Sequence, residues 1–195
     1  AVNRINEGSR QLVETSQQAS VAAVSISGLA ELAAELSPER RREIVNMFVD
    51  EADALATLNG LERVKMTGDG YFAVCGTETP YIDHTKRTLT FVAQLRDAID
   101  RYGHEHDLAI SVRAGIDTGT VTVGLIGDSR LVYDLWGEAV DTATALARVA
   151  EPGAILVTRA ARERTTIDTV PKDAPGLGEI EAYELITSHS SGASA

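Results

Sequence analysis

The sequence predicts an α+β fold, with a ferredoxin-like βαββαβ core and C-terminal additions. Short apolar runs typical of strands alternate with longer segments whose apolar residues recur at helical spacing, in the order strand, helix, hairpin, helix, strand. The chain has 195 residues, of which 44% are hydrophobic, and this is enough to bury one core but cramped for two. We therefore expect one main domain over residues 19–186.

The segment ahead of that domain and its first strand are predicted from their apolar residues. A loose apolar stripe that includes Ile5 and Leu12 favours an approach or linker helix over residues 1–18. The apolar run Val21–Ile26 then ends at a Ser-Gly pair that includes Gly28, which is typical of a strand.

A capping signal and a turn signal define the next two elements. Ser37 as N-cap and Pro38 at the first helical position begin a helix that runs to about Leu58. The hairpin Leu61–Gly76 follows, with a Gly-Asp-Gly turn at 68–70 between two apolar runs.

The second half of the chain is predicted from the same two periodicities. Small polar residues at 187–195 are expected to form a disordered tail. The predicted elements are a helix within Pro80–Arg101, strands over Leu108–Gly115 and Thr120–Ile126 separated by a turn at Asp117-Thr118-Gly119, a helix over Gly137–Val149, and strands over Ala154–Thr158 and Glu179–Ile186.

Charge and composition argue against several classes of function. Lys and Arg total 18 against 29 Asp and Glu, a formal net charge of −11, whereas a nucleic-acid binder needs a basic face. The single cysteine, Cys75, fits a reducing compartment and a buried core thiol. The sequence contains neither a run of eighteen apolar residues nor a signal peptide. Because the chain begins at Ala1 without Met, we expect a piece of a longer parent protein. We also expect a cytoplasmic domain, with upstream domains in the parent that could include a membrane anchor.

Two separated motifs carry a resemblance to a known family. The first is Val64-Lys-Met-Thr-Gly-Asp-Gly-Tyr-Phe-Ala-Val-Cys-Gly76, a hairpin with a carboxylate at its tip. The second comprises Arg113-Ala-Gly-Ile-Asp-Thr-Gly119 and Tyr133-Asp-Leu-Trp-Gly137. Together they resemble the catalytic domain of class III nucleotide cyclases, the enzymes that make cyclic AMP or cyclic GMP. The resemblance implies a signalling protein, a homodimer with its site at the shared interface, and Mg²⁺ or Mn²⁺ as cofactor.

The resemblance implies two metal-binding positions, of which one is altered. Asp69 matches one metal-binding aspartate, although Asp also favours turns for purely structural reasons. Ser25, in the stretch Ser25-Ile-Ser-Gly-Leu-Ala30, occupies the position of the other aspartate. The family's reaction uses two metal ions about 4 Å apart in a carboxylate cage, and a hydroxyl carries no charge. We therefore expect metal binding to be impaired.

The resemblance also implies a pair of residues that selects the base. Lys65 and Asp134 match the pair that reads adenine in adenylate-type members. Adenine offers an acceptor at N1 and a donor at N6, and Lys can only donate while ionised Asp can only accept. The pair therefore predicts ATP as the nucleotide.

The positions that stabilise the transition state are changed. On the helix after Trp136, Asp141 stands where the family has asparagine, and Ala145 stands where it has arginine. Loss of such groups costs roughly 10²–10³ in rate for a hydrogen-bond donor and about 10³–10⁵ for an arginine. Arg148 lies three residues further on and is expected to be a poor replacement. Arg113 is interpreted as structural.

The resemblance implies an adenylate-type cyclase homology domain that converts ATP to cyclic AMP and pyrophosphate, and the replacements predict that it is weak or inactive as a self-dimer. Its role would then be signalling, dimerisation or nucleotide sensing. One alternative is an active adenylate cyclase that tolerates the changes or is completed by a partner chain in a heterodimer. Another is a ferredoxin-like binding module with no link to nucleotides.

Overall fold

In the part of the chain that the structure describes, eight strands join one sheet, and helices pack on both of its faces. The computed structural model describes residues 13–126 and 132–186. The strands are β1 (Val13–Ser27), β2 (Glu62–Thr67), β3 (Gly70–Cys75), β4 (Ser111–Ile126), β5 (Val132–Trp136), β6 (Ile155–Thr158), β7 (Thr169–Lys172) and β8 (Ala182–Leu185). The helices are α1 (Pro38–Asn59), α2 (His84–Glu105), α3 (Glu138–Val149) and α4 (Arg159–Arg162), with a 3₁₀ helix at Glu31–Ala34.

The order of the strands confirms the predicted fold class. Along the sheet the order is β2-β3-β1-β4-β6-β8-β7, and β5 pairs with β4 outside this path. The first four strands with α1 and α2 form the βαββαβ core, in which β1 lies between β3 and β4. Strand β6 joins β4 in parallel, and β8 and β7 extend the sheet as the C-terminal additions.

The linker helix predicted over 1–18 is wrong for residues 13–18, which belong to β1. This part of β1 pairs antiparallel with the far half of β4, so that Val13 lies opposite Gly124 and Ser16 opposite Val121, and a bulge separates Ser16 from Ala19. Long-range pairing therefore overrides a weak local preference for helix. The rest of the predicted helix, residues 1–12, and the predicted tail at 187–195 lie outside the described residues.

Strand β4 is continuous where two strands and a turn were predicted. Asp117 and Thr118, expected in the turn, lie opposite Val21 and Ser20 of β1. The buried Asp117 carboxylate accepts hydrogen bonds from the Thr158 hydroxyl and from the Thr118 backbone N–H. These hydrogen bonds to the carboxylate, and the pairing of the backbone with β1, allow Asp117 to lie within a strand although Asp is typical of turns. Strands β5 and β7 were not predicted.

The two faces of the sheet bury separate apolar clusters. On one face, Phe48 of α1 and Leu95 of α2 pack in a cluster with Ile26. On the other face, α3 covers a cluster that includes Val21 and Ala143. Cys75 is buried in the first cluster, as predicted, and burial raises the pKa of its thiol to about 11. Because successive strand residues point to opposite faces, this division decides which side chains meet α3.

Candidate active site

Asp69 lies at the exposed tip of the β2–β3 hairpin, where the sequence placed it. Thr67 and Gly70 form the last cross-strand pair, and Gly68 and Asp69 make the two-residue turn between them. Gly68 has φ of +62°, in the left-handed region that favours glycine. The turn therefore holds the carboxylate in solvent, beside backbone that a ligand can approach.

Ser25 lies next to this turn and contacts a cation. In the sheet it sits between Gly70 of β3 and Arg113 of β4, which are its direct cross-strand partners. The neighbouring residues Val24 and Ile26 face the α1–α2 cluster, so Ser25 faces α3. Nε of Arg113 donates a hydrogen bond of 3.1 Å to Oγ of Ser25.

These residues line one pocket, which we call the Ser25 pocket. Its volume is about 180 Å³, and its polar lining comes from Ser25, Thr67, Asp69, Gly70, Arg113 and Arg148. Helix α3 reaches the pocket through Arg148 because it lies very close to the sheet at Gly115. A Cβ on Gly115 would lie 2.1 Å from the carbonyl oxygen of Ala143. The pocket therefore lies between the β2–β3 hairpin tip, β1, β4 and the C-terminal part of α3.

The Ser25 pocket does not fit a pair of metal ions. Asp69 is its single carboxylate, and Oγ of Ser25 is already bonded to a guanidinium, which repels cations. Within the described part of the chain, no group of three or more His, Cys, Asp or Glu side chains is placed to hold a metal ion. Asp69 could contribute to one Mg²⁺ or Mn²⁺ whose other ligands were phosphates and water.

Lys65 and Asp134 are brought together from separate strands, β2 and β5. Nζ of Lys65 lies 2.7 Å from Oδ1 of Asp134, and the two side chains are 30% and 28% exposed. A bulge at Val64 shifts the β2–β3 register so that Lys65 pairs with Phe72, and Nζ lies 5.3 Å from the centre of that ring. Oδ1 of Asp134 also accepts the Leu135 N–H at 2.7 Å. One oxygen of Asp134 thus holds both contacts.

The three residues of α3 that the sequence analysis singled out, Asp141, Ala145 and Arg148, lie in different surroundings. Asp141 is exposed in the first turn of the helix. Ala145 is partly buried and packs against an apolar cluster that includes Leu156 and Leu177. Arg148 lines the Ser25 pocket.

The sequence did not predict the contact between Arg113 and Ser25. Arg113 was interpreted as structural, and in the structure its guanidinium contacts Ser25 and the residue lines the pocket with Asp69. Only the strand register brings residues 25 and 113 together, and no spacing in the sequence signals it.

Comparisons with known proteins show which class of domain this fold belongs to. The family model for the adenylate and guanylate cyclase catalytic domain matches residues 12–182, and the chain belongs to this family.

The chain is similar to an adenylate cyclase of Mycobacterium tuberculosis (strain ATCC 25618 / H37Rv), with 29% identity over 189 residues. That alignment covers 94% of this chain and 43% of the relative, so the chain spans less than half of the length of this relative. Among solved structures, the guanylate cyclase domain of RhGC from Catenaria anguillulae in complex with GTP has a TM-score of 0.81 at 23% identity, covering 89% of this chain and 98% of that one. The adenylyl cyclase CyaB from P. aeruginosa has a TM-score of 0.79 at 21% identity, covering 93% and 98%. These structural likenesses establish the fold.

None of the helices in residues 13–126 and 132–186 has the combination of length and apolar character that a membrane span requires.

Proposed function

We propose that this chain is an adenylate-type cyclase domain that binds ATP at the interface of a dimer and cyclises it slowly or not at all as a self-dimer. The proposal rests on a difference between the residues expected to bind the base and those expected to bind metal. The Lys65–Asp134 pair that suits adenine is assembled, while Ser25 is hydrogen-bonded to Arg113 where the family has a metal-binding carboxylate.

The Lys65–Asp134 pair has the polarity that adenine requires. Lys65 can donate to N1, and Asp134 can accept from the N6 amino group. Oδ1 of Asp134 is taken by Lys65 and by the Leu135 N–H, and Oδ2 has no partner in the described chain. Oδ2 is therefore the atom of Asp134 that can receive the amino group while the ion pair persists. Guanine, with an acceptor at O6 and a proton on N1, suits this arrangement poorly.

Cyclisation requires more than base recognition. The ribose 3′-oxygen must bond to the α-phosphorus, the bond from that phosphorus to the pyrophosphate oxygen must break, and the 3′-hydroxyl proton must leave. When bound, divalent metal ions would stabilise the charge that develops on the phosphates. Ala145 supplies no cation from α3 at the family's arginine position, and Asp141 adds negative charge there. Both changes raise the barrier to the chemical step.

A dimer is supported by the surface next to Asp134. Residues 132, 134 and 136 lie on one side of β5, and the flanking apolar side chains, Val132 and Trp136, are 52% and 38% exposed. Exposed aromatic and aliphatic side chains beside a functional residue are typical of a protein interface. We propose a homodimer as the resting assembly and a heterodimer with another cyclase domain as the route by which activity could be completed. A membrane-anchored parent and a cytoplasmic location stay predictions.

The test measures cyclic AMP made by the purified chain from ATP with Mg²⁺ or Mn²⁺. We expect turnover near background for the natural sequence, together with ATP-dependent protection against thermal unfolding. Robust turnover by the isolated chain would overturn the proposed inactivity and favour the active-cyclase alternative. Absence of both turnover and protection would instead favour the binding module with no link to nucleotides.

A further inference from the structure

Lys65 has a second contact besides its ion pair with Asp134, namely the aromatic ring of Phe72. Nζ of Lys65 lies 5.3 Å from the centre of that ring, within the range of a cation–π interaction. The two residues are direct cross-strand partners on β2 and β3. The register of the sheet therefore places the ammonium group over the ring.

A bulge in β2 makes this contact possible. The pairing shifts between Arg63 and Lys65, so that Val64 is the extra residue of the strand. Val64 is buried in the cluster that α3 covers, and Phe72 packs against the same cluster. Two successive residues of β2 thus lie on one face of the sheet. Val64 anchors the strand in the core, and Lys65 lies over the ring.

The ring and the carboxylate that contact Lys65 are fixed to the same core. Leu135, which follows Asp134 on β5, is buried in the cluster against which Phe72 packs. The ring also lies close to the start of β3, since a Cβ added to Gly70 would be 3.8 Å from its Cε2 atom. Neither partner of the ammonium can therefore move without disturbing packed residues.

These two contacts leave one N–H of Lys65 for a ligand. An ammonium group has three N–H donors, of which the ion pair with Asp134 uses one and the ring face attracts another. A free lysine side chain has about 2 kcal/mol of rotamer entropy. Because Lys65 is held at two points before a ligand arrives, less of this entropy is lost on binding.

We propose that Phe72 is a positioning residue for base selection, whose ring holds the Lys65 ammonium so that its remaining donor reaches N1 of adenine. This inference rests on the proposed function for the identity of the base. Phe72 acts through Lys65 and does not itself contact the base. Weakening the attraction of the ring for a cation should therefore weaken recognition of N1 and leave the rest of ATP binding unchanged.

The experiment changes the electron density of the ring while nearly keeping its shape. Phenylalanine with one, two or three fluorine atoms is incorporated at position 72 of the whole chain, since fluorine weakens the attraction of the ring face for a cation. Affinities for ATP and for 1-deaza-ATP, which lacks the N1 acceptor, are measured by calorimetry with MgCl₂. The preference for ATP should fall stepwise, by about threefold for the trifluorinated ring, while the affinity for 1-deaza-ATP stays constant.

The matched control is the same fluorination at Phe91. This ring is buried in the cluster on the other face of the sheet and is paired with the ring of Tyr71. Among the described residues, the cations that lie over rings are at Phe72, Tyr81 and Tyr183, and none is over Phe91. Fluorination at Phe91 should therefore leave the preference for ATP unchanged.

A second measurement does not depend on nucleotide. The ring current of Phe72 should shift the NMR signals of the Lys65 ε-methylene protons upfield in the free protein, and Phe72→Leu should return them to their ordinary position. Absence of the upfield shift in the natural sequence would overturn the proposal.

The outcomes separate this inference from the proposed function. If Lys65→Gln abolishes the preference for ATP, and fluorination lowers it at Phe72 but not at Phe91, both proposals are supported. If Lys65→Gln abolishes the preference and fluorination at the two positions has the same effect, the adenylate-type function stands and the role of Phe72 does not. If the upfield shift is present but ATP is not preferred over 1-deaza-ATP, the adenylate-type function fails, and the role of Phe72 in base selection fails with it.

Discussion

Nζ of Lys65 on β2 and Oδ1 of Asp134 on β5 lie 2.7 Å apart, across two strands that are distant in the sequence. The pair is about one-third exposed, so its contribution to folding should be small, at most about 1 kcal/mol. Its more important consequence is that a donor and an acceptor are already aligned beside the Phe72 ring. Under the proposed function, this arrangement would be the preformed base-recognition half of the site.

Lys65→Gln should weaken ATP binding by about tenfold, because it removes a charged donor from the base-recognition pair. The free energy of unfolding should change little, because the Lys65–Asp134 ion pair is partly exposed. The measurement is ATP affinity and thermal unfolding of the variant, with Lys86→Gln, an exposed lysine on α2, as the matched control. Equal ATP affinity in the two variants would show that Lys65 does not contact the nucleotide.

Gly115→Ala should be strongly destabilising, by about 3 kcal/mol or more, since its Cβ would overlap the backbone of α3. That Cβ would lie 2.1 Å from the Ala143 carbonyl oxygen and 2.5 Å from the Ala147 amide nitrogen. Gly119→Ala, on the same strand, is the control, because its Cβ would meet only the Ala139 Cβ at an ordinary 3.6 Å. Urea unfolding of both variants checks this close packing, and equal midpoints would contradict it.

Glu62→Gln should stabilise the protein at alkaline pH and have little effect near pH 5. Burial, and then the hydrogen bond with Glu78, raises the pKa of Glu62 to about 7, above its ordinary 4.5. Because the folded state binds this proton more tightly, the contribution is present below pH 4.5 and is lost as pH rises through about 7. The expected gain at pH 8 is about 1 kcal/mol, reduced because the group is partly exposed.

Thermal unfolding from pH 5 to pH 8.5 would check the Glu62 prediction. The difference in Tm between the variant and the natural sequence should grow with pH. A constant difference would show that the carboxyl of Glu62 titrates at its ordinary value.

Cys75 should resist thiol reagents in the folded protein. Its side chain is buried, and burial, the largest cause, raises its pKa to about 11, so little thiolate exists at pH 8. Labelling by a disulfide reagent at pH 8 should be slow in buffer and complete in denaturant. Fast labelling of the native protein would contradict the assigned burial.

The sequence was most informative where signals are local. Ser37 accepts a hydrogen bond from the Arg40 N–H as N-cap, and α1 ends before Gly60 at φ of +74°, close to the predicted helix bounds. The hairpin that carries Asp69 also forms where its glycines predicted. In contrast, the start of β1 at Val13 and the continuity of β4 depend on each other through long-range pairing, and no local pattern specifies that pairing.

The same distinction applies to the site. Asp69, Lys65 and Asp134 were predicted as site residues because they sit in motifs, and the structure brings Lys65 and Asp134 into contact. The contact between Arg113 and Ser25 could not be predicted, because it depends on the register that places the two residues opposite each other. The β2 bulge that aims Lys65 over Phe72 is likewise a property of the folded sheet.

The most direct test of the account is to compare cyclic AMP formation by the natural chain with that of a variant carrying Ser25→Asp, Asp141→Asn and Ala145→Arg. We predict turnover near background for the natural chain and a rise of about 10³-fold or more in the variant with Mg²⁺ or Mn²⁺. Asp134→Asn added to the restored variant should reduce its use of ATP, which verifies that the regained activity uses the base-recognition pair. Robust turnover by the natural chain, or a folded variant that binds ATP but stays inactive, would contradict the account.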